Sequence, residues 1–242
     1  MSALPLIELD SSTLARFGIV HGTDAMLPSR AVLGLDWPEL EQALPDRGLP
    51  RGVIELAAVP RISGSTRHSH PFESMRGGAT SIAIAAIRAV HAADEHAWCA
   101  WIAPSTSGTT AKNTMTTPSL YAPALAQAGV DLDRLLVVRP SAHALSRTIV
   151  KTASSGAFGL VVVDVPRTAM KEGPLVTRKL ALAAEEYGTT SLLLTSAIAP
   201  RPVPWPVAMR LEVERRPESI AIRVVKDRRG VASSQHIVRL AS

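Results

Sequence analysis

From residue 52 to about residue 197, short runs of apolar and β-branched residues alternate with stretches whose apolar positions recur at helical spacing. "GVIELAAV" (52–59) predicts a first strand, and "SIAIAAIRAVHAADEH" (81–96) a helix apolar on nearly every side. "AWCAWIAP" (97–104) predicts a second strand, and "SLYAPALAQAG" (119–129) a short helix stopped by Gly129. "RLLVVRP" (134–140) follows as a third strand. "SAHALSRTIVKTASSG" (141–156) is then a helix with Ser141 as its candidate N-cap and Leu145, Ile149 and Ala153 on one face. "GLVVVDVP" (159–166), "PLVTRKLALAAEEYG" (174–188) and "TSLLLTSA" (190–197) continue the series as strand, helix and strand. Such alternation, with strands apolar on both faces, predicts βαβ units: an α/β fold with a mostly parallel sheet and helices on both faces.

The pattern changes near the end of the chain. "VAMRLEVERR" (207–216) and "ESIAIRVVKD" (218–227) alternate apolar with charged residues around a Pro-Glu turn. They predict a C-terminal antiparallel hairpin with one solvated face. Two segments carry no periodicity: Val59 to Arg76, rich in Arg, Ser and His, and Ser105 to Ser119, rich in Ser and Thr. Both are expected to be mobile loops. No internal repeat is visible.

Composition narrows the class without naming a function. The 242 residues suffice for one large core, and 46 % hydrophobic with 19 % charged residues excludes a disordered chain. The longest apolar run, Ile82 to Val90, is too short to span a bilayer, and no signal peptide is visible. A single cysteine, Cys99, excludes an internal disulfide and suits a reducing compartment, so a cytoplasmic location is expected. Within its apolar strand Cys99 reads as a small core residue. The net charge of +5 allows nucleic acid or an acidic partner. However, the charge is dispersed, and three Phe with two Tyr offer few rings for stacking on single strands.

Four segments, in order, resemble the core of the RecA recombinases. "LDWPELEQALPDRGLPRGVIEL" (35–56) has the Leu-Asp start, the Gly48-Leu49-Pro50-x-Gly52 sequence and a strand carrying Glu55. "LYAPALAQAGVDLDRLLVVRP" (120–140), the Walker B-like "SGAFGLVVVDVP" (155–166) and "IRVVKDRRGVA" (222–232) complete the series. The resemblance implies a RecA-like core over 35–242, preceded by a segment of unassigned role over 1–34. Within that superfamily the chain is similar to the diverged ImuA proteins, accessory factors of bacterial SOS mutagenesis. They act with ImuB, an inactive relative of Y-family polymerases, and serve an error-prone polymerase in translesion synthesis. SulA-like division inhibitors are the second resemblance.

Phosphate-binding chemistry needs a glycine-rich turn, a lysine at the helix start and a hydroxyl for Mg²⁺. "PFESMRGGATSIAIAAIRAV" (71–90) has the glycines and hydroxyls, but G-x-x-x-x-G-K-[ST] occurs nowhere in the chain. If Gly77, Gly78, Ala79, Thr80 and Ser81 hold the loop-to-helix position, Ala79 stands where the lysine belongs. Recombinases also place a water-activating glutamate after the second strand, yet residues 102–130 contain no acid. With charge stabilisation and base both missing, the expectation is a degenerate nucleotide site without ATPase activity or cofactor. A divergent ATPase is the enzymatic alternative.

The remaining candidates divide between chemistry and structure. Asp164 either holds Mg²⁺ or caps the end of its strand, and the missing lysine favours the cap. His68 and His70 lack further ligands nearby, so no metal site is expected. By resemblance to the two DNA-binding loops of recombinases, Arg167, Lys171, Arg178, Lys179 and Arg201 are candidate phosphate contacts for weak, salt-sensitive single-strand binding. Both loops look short, and prolines stiffen the second. Lys226 and Arg228 match the recombinase cations that reach ATP on a neighbouring protomer, which makes them candidate interface residues toward RecA; an exposed hairpin turn is the plain alternative. The expected function is a non-catalytic adaptor in translesion synthesis whose partners are an ImuB-type protein, RecA and, indirectly, the error-prone polymerase.

Overall fold

Alternating apolar runs bury themselves only if strands pair side by side and helices cover both faces. The computed structural model describes residues 32–59, 77–105, 120–165, 173–197, 206–228, 230 and 233–240. A small antiparallel pair comes first, β1 (Val32–Leu33) with β2 (Leu49–Pro50), enclosing the short helix α1 (Pro38–Gln42). Then come β3 (Val53–Ala58), α2 (Gly77–Ala93), β4 (Trp98–Ile102), α3 (Ala122–Gln127), β5 (Leu135–Val138) and α4 (Leu145–Ala153). The chain continues through β6 (Phe158–Asp164), α5 (Gly173–Tyr187), β7 (Thr190–Ser196), β8 (Met209–Arg215), β9 (Ser219–Asp227) and β10 (His236–Arg239).

The large sheet has eight strands in the order β10-β9-β8-β3-β7-β6-β4-β5. From β5 to β8 all neighbours are parallel; β8–β9 and β9–β10 are antiparallel. This is the predicted mixed α/β architecture with its C-terminal antiparallel hairpin, extended by β10. The first predicted strand, β3, is central, between β7 and β8.

Two apolar layers flank the sheet. On one side Ile82, Ala83, Ala86 and Ile87 of α2 pack on Ile54, Leu56, Leu160, Val162, Leu192 and Leu211. Ile82 and Ile87 are fully buried, worth about 1.5–3 kcal/mol each by the area removed from water. On the other side α4 and α5 bring Leu145, Ile149, Ala153, Val176 and Leu180 against Val53, Val161, Val163 and Leu193. Leu145, Ile149 and Ala153 therefore form the buried face that their spacing of four predicts.

Local signals held at one helix end and failed at another. Gly129 (φ +82°) ends α3: its N–H donates to the Ala126 carbonyl and that of Val130 to the Leu125 carbonyl, both helix-end bonds of a glycine C-cap. Ser141 does not cap α4. That helix starts after Ala144 without a side-chain cap, and the Ser141 carbonyl instead accepts from Ala144 N–H in a preceding turn. The hairpin's charged face is not wholly solvated either: Arg210 is 3 % exposed because β8 is an inner strand. Most of the two predicted mobile loops, residues 60–76 and 106–119, lie outside the described residues.

Candidate functional site

Parallel strands end on the same edge of a sheet, so topology places the ends of β3 and β6 at one rim, where α/β folds bind ligands. The helix that follows β3 begins with the glycine pair, Gly77 and Gly78. A Cβ on Gly78 would lie 2.8 Å from Val213 Cγ1 and 3.1 Å from Ile220 Cγ2. Glycine there lets α2 approach β8 and β9, which accounts for it by packing. Ala79 is fully buried in the layer between α2 and the sheet. Thr80 and Ser81 are half-buried in the same first turn. Asp164 is the last residue of β6, half-buried and in register with Leu194 of β7. The start of α2 and the end of β6 thus lie toward the same edge of the sheet, and Ala79 points into the core.

Glu55, noted in the sequence only as part of the recombinase-like strand, has partners that the sequence did not reveal. Period-2 alternation puts Glu55 on the opposite face from Ile54 and Leu56, the face covered further along by α4 and α5. Its Oε1 accepts a hydrogen bond from Thr195 Oγ1 at 2.7 Å, and its Oε2 accepts from Arg210 Nη1 at 2.7 Å. The Glu55 and Arg210 side chains are 14 % and 3 % exposed. Arg210 stands in register with both Glu55 and Lys226, so a charged row crosses β3, β8 and β9. Burial, and next the charge of Arg228, hold Lys226 below its ordinary lysine value, while Glu55 pulls the other way. Lys226 therefore belongs partly to this internal row. Arg228 is exposed, its backbone N–H donating to the Ala208 carbonyl at 3.0 Å. A glutamate inside an otherwise apolar strand was the available signal, but pairing it with Arg210 requires knowing that β8 lies beside β3.

The other end of α2 carries a cleft of about 270 Å³ lined by Asp36, Arg88, His91, Asp131 and Arg134, among others. Arg134 closes the helix: its Nη1 donates to the carbonyls of Asp94 (2.9 Å) and His91 (3.3 Å), and its Nε to Asp131 Oδ2 at 2.7 Å. That hydrogen bond, with one from Asp133 N–H, holds the half-buried Asp131 carboxyl below its usual range. His91 is 7 % exposed, neither ring nitrogen has a hydrogen-bond partner among the described residues, and burial, then Arg134, lower its affinity for a proton.

The sequence-derived DNA candidates are only partly placed. Arg178 and Lys179 are exposed on the outer face of α5, beside Leu175 and Leu182. Arg167, Lys171 and Arg201 lie outside the described residues, as do His68 and His70. Cys99 is buried, and burial pushes its thiol up to about 12, as befits a core residue. Among the described residues no group of three or more His, Cys, Asp or Glu side chains could hold a metal ion, and no helix is long and apolar enough to cross a membrane.

No family model and no curated protein matches the chain. Solved structures do. The fold is similar to that of the RadB recombinase, at 13 % identity and a TM-score of 0.57, covering 86 % of this chain and 96 % of that one. It also matches SulA from Pseudomonas aeruginosa at 18 % identity and a TM-score of 0.39, covering 60 % of this chain and 98 % of that one. The first likeness, with the strand order above, shows a RecA-like fold.

Proposed function

We propose that this chain is a non-catalytic RecA-fold adaptor of SOS-induced translesion DNA synthesis, acting in the cytoplasm by contact with an ImuB-type inactive polymerase, with RecA, or with both. The observation that carries the reading is Ala79. If the glycine-rich segment holds the loop-to-helix position, Ala79 stands where a lysine would meet phosphates; its methyl group is packed in the core, and a fully buried residue cannot be extended toward the rim without moving the helix. The lack of any acid over residues 102–130 supports the same conclusion, because phosphoryl transfer depends on charge stabilisation and a positioned base. What then remains of the RecA-like fold is a scaffold suited to binding other proteins. The four-segment resemblance to recombinases, strongest toward ImuA proteins, supplies the pathway. Direct contact with single-stranded DNA, through cations such as Arg178 and Lys179, is expected to be weak and to fall steeply with salt.

The test is affinity capture of the tagged chain from cells after DNA damage. Recovery of an ImuB-type protein or RecA is the expected result. Recovery of the tubulin-like division protein in their place would move the chain to the SulA-like class. Capture of neither, combined with measurable ATP turnover by the purified chain, would overturn the adaptor reading in favour of a divergent ATPase.

A further inference from the structure

Helix α5 buries one side only. Val176, Thr177, Leu180, Ala181 and Ala183 face the core, whereas Leu175, Arg178, Lys179, Leu182, Glu185 and Glu186 are exposed and share the opposite stripe, at the i, i+3, i+4, i+7 spacing of one helix face. Leu175 and Leu182 are 52 % and 53 % exposed. Two exposed leucines alone would be unremarked on any surface. The charges around them are the informative part.

Both cations lie on the N-terminal side of Leu182 and both acids on the C-terminal side. Arg178 and Glu186 are each four residues from Leu182, and Lys179 and Glu185 each three. None of these cations has an acid at i+3 or i+4 along the helix, so the charges do not pair on α5 itself. Arg178, Lys179 and Glu185 have no hydrogen bond or ion pair among the described residues, and Glu186 has that of the neighbouring Tyr187 hydroxyl. The acids also occupy the last turn, where the helix dipole disfavours negative charge, and no basic residue offsets them there.

An antiparallel second α5 would answer every one of these features. We propose that the outer face of α5 docks a second copy of this chain, the two helices packing antiparallel about a two-fold axis at Leu182. Leu182 then meets Leu182 of the second copy on the axis. Arg178 then shares a flank with Glu185 of the second copy, Lys179 with its Glu186, and symmetry repeats both pairs. The dipoles of the two helices oppose, which favours acids at each C-terminal end. A single helix pair buries less than the roughly 1,200–2,000 Å² of a standard stable interface, so this dimer dissociates in the micromolar range. The inference is independent of the proposed adaptor function.

Sedimentation equilibrium of the full chain over a micromolar concentration series tests it. The wild type should move from one copy toward two, less so as ionic strength rises. E185K/E186K and R178E/K179E each gather four like charges on the stripe, so each alone should associate at least ~10-fold more weakly, equivalent to about 1.4 kcal/mol. Mixed one to one, the two variants should recover the wild-type association, because each then meets its complement. All four positions are exposed, and unchanged melting of each variant checks the fold. A wild type that stays monomeric, association indifferent to salt, variants that associate as the wild type does, or a mixture that remains monomeric overturns the proposal.

Discussion

His91 is the residue whose burial most clearly conflicts with carrying a charge. In the folded chain its proton affinity is lowered, first by burial and then by Arg134, with Asp131 opposing. In the unfolded chain it titrates near 6.5. The unfolded state therefore binds more protons in the window below 6.5, and linkage makes stability rise with pH there. The contribution of His91 is complete above about pH 6.5 and is lost as pH falls through the lowered folded value. Urea midpoints measured at pH 7.5 and pH 5 should differ, and His91→Leu should flatten that part of the slope. A slope unchanged by the substitution would place the acid sensitivity elsewhere. Arg210 carries a different lesson. Removing one partner of a buried ion pair leaves the other uncompensated, so Arg210→Met should cost about 3 kcal/mol, the low end for such pairs because Lys226 stands next in the row. Replacing both charges, as Glu55→Leu with Arg210→Met, should recover most of the loss. A double-mutant cycle by chemical denaturation measures it; additive losses would mean the pair is not coupled.

At the scale of elements, the start of α2 tests whether one substitution could supply a phosphate-binding lysine. Ala79→Lys restores the residue type but not its direction, because position 79 faces the apolar layer. A lysine there must lose its charge or displace the helix, a cost of several kcal/mol. The variant should melt lower than wild type and show no gain with Mg-ATP, whereas saturating specific binding would add roughly 3–4 kcal/mol. A clear nucleotide-dependent rise in melting temperature would show that α2 can turn its first turn outward. The order of strands and helices was legible because parallel strands buried on both faces read as continuous apolar runs, as in "LVVVD", and Gly129 marked a helix end by its own backbone freedom. Other features were not. Helix α2 begins at Gly77, four residues before the apolar run at Ser81, because Gly78 is needed for contact with β8 and β9, strands distant in sequence. Ser141 has the chemistry of a cap, but Ala144 takes the position, and local propensity yielded to the turn before it. The Glu55–Arg210 pair joins residues 155 positions apart, beyond the reach of any local pattern.

For the whole molecule, the proposed adaptor function raises the question of which surface this RecA-like fold would offer to RecA. Its resemblance to recombinases points to the end of β9, where Lys226 and Arg228 match cations that reach ATP held by a neighbouring protomer. The fold separates the two. Arg228 stands exposed beyond the strand, while Lys226 is half-buried beside Arg210 and held below its ordinary value by burial and by Arg228. If, as proposed, the chain holds no ATP of its own for the next protomer, a face of this kind would let it dock on one end of an ATP-loaded RecA filament without extending it. Binding should therefore require RecA carrying ATP or a non-hydrolysable analogue. Lys226→Ala with Arg228→Ala should weaken it at least ~30-fold, by the conversion of 1.4 kcal/mol per decade. Arg228→Ala alone should account for most of that loss without lowering the melting temperature, because its side chain is exposed. Lys226→Ala alone should act mainly on stability. Titration of each variant against RecA, with and without nucleotide, reads both effects. Equal binding in the absence of nucleotide, or an Arg228→Ala variant that binds like the wild type, would remove this edge of the sheet as the RecA-facing surface.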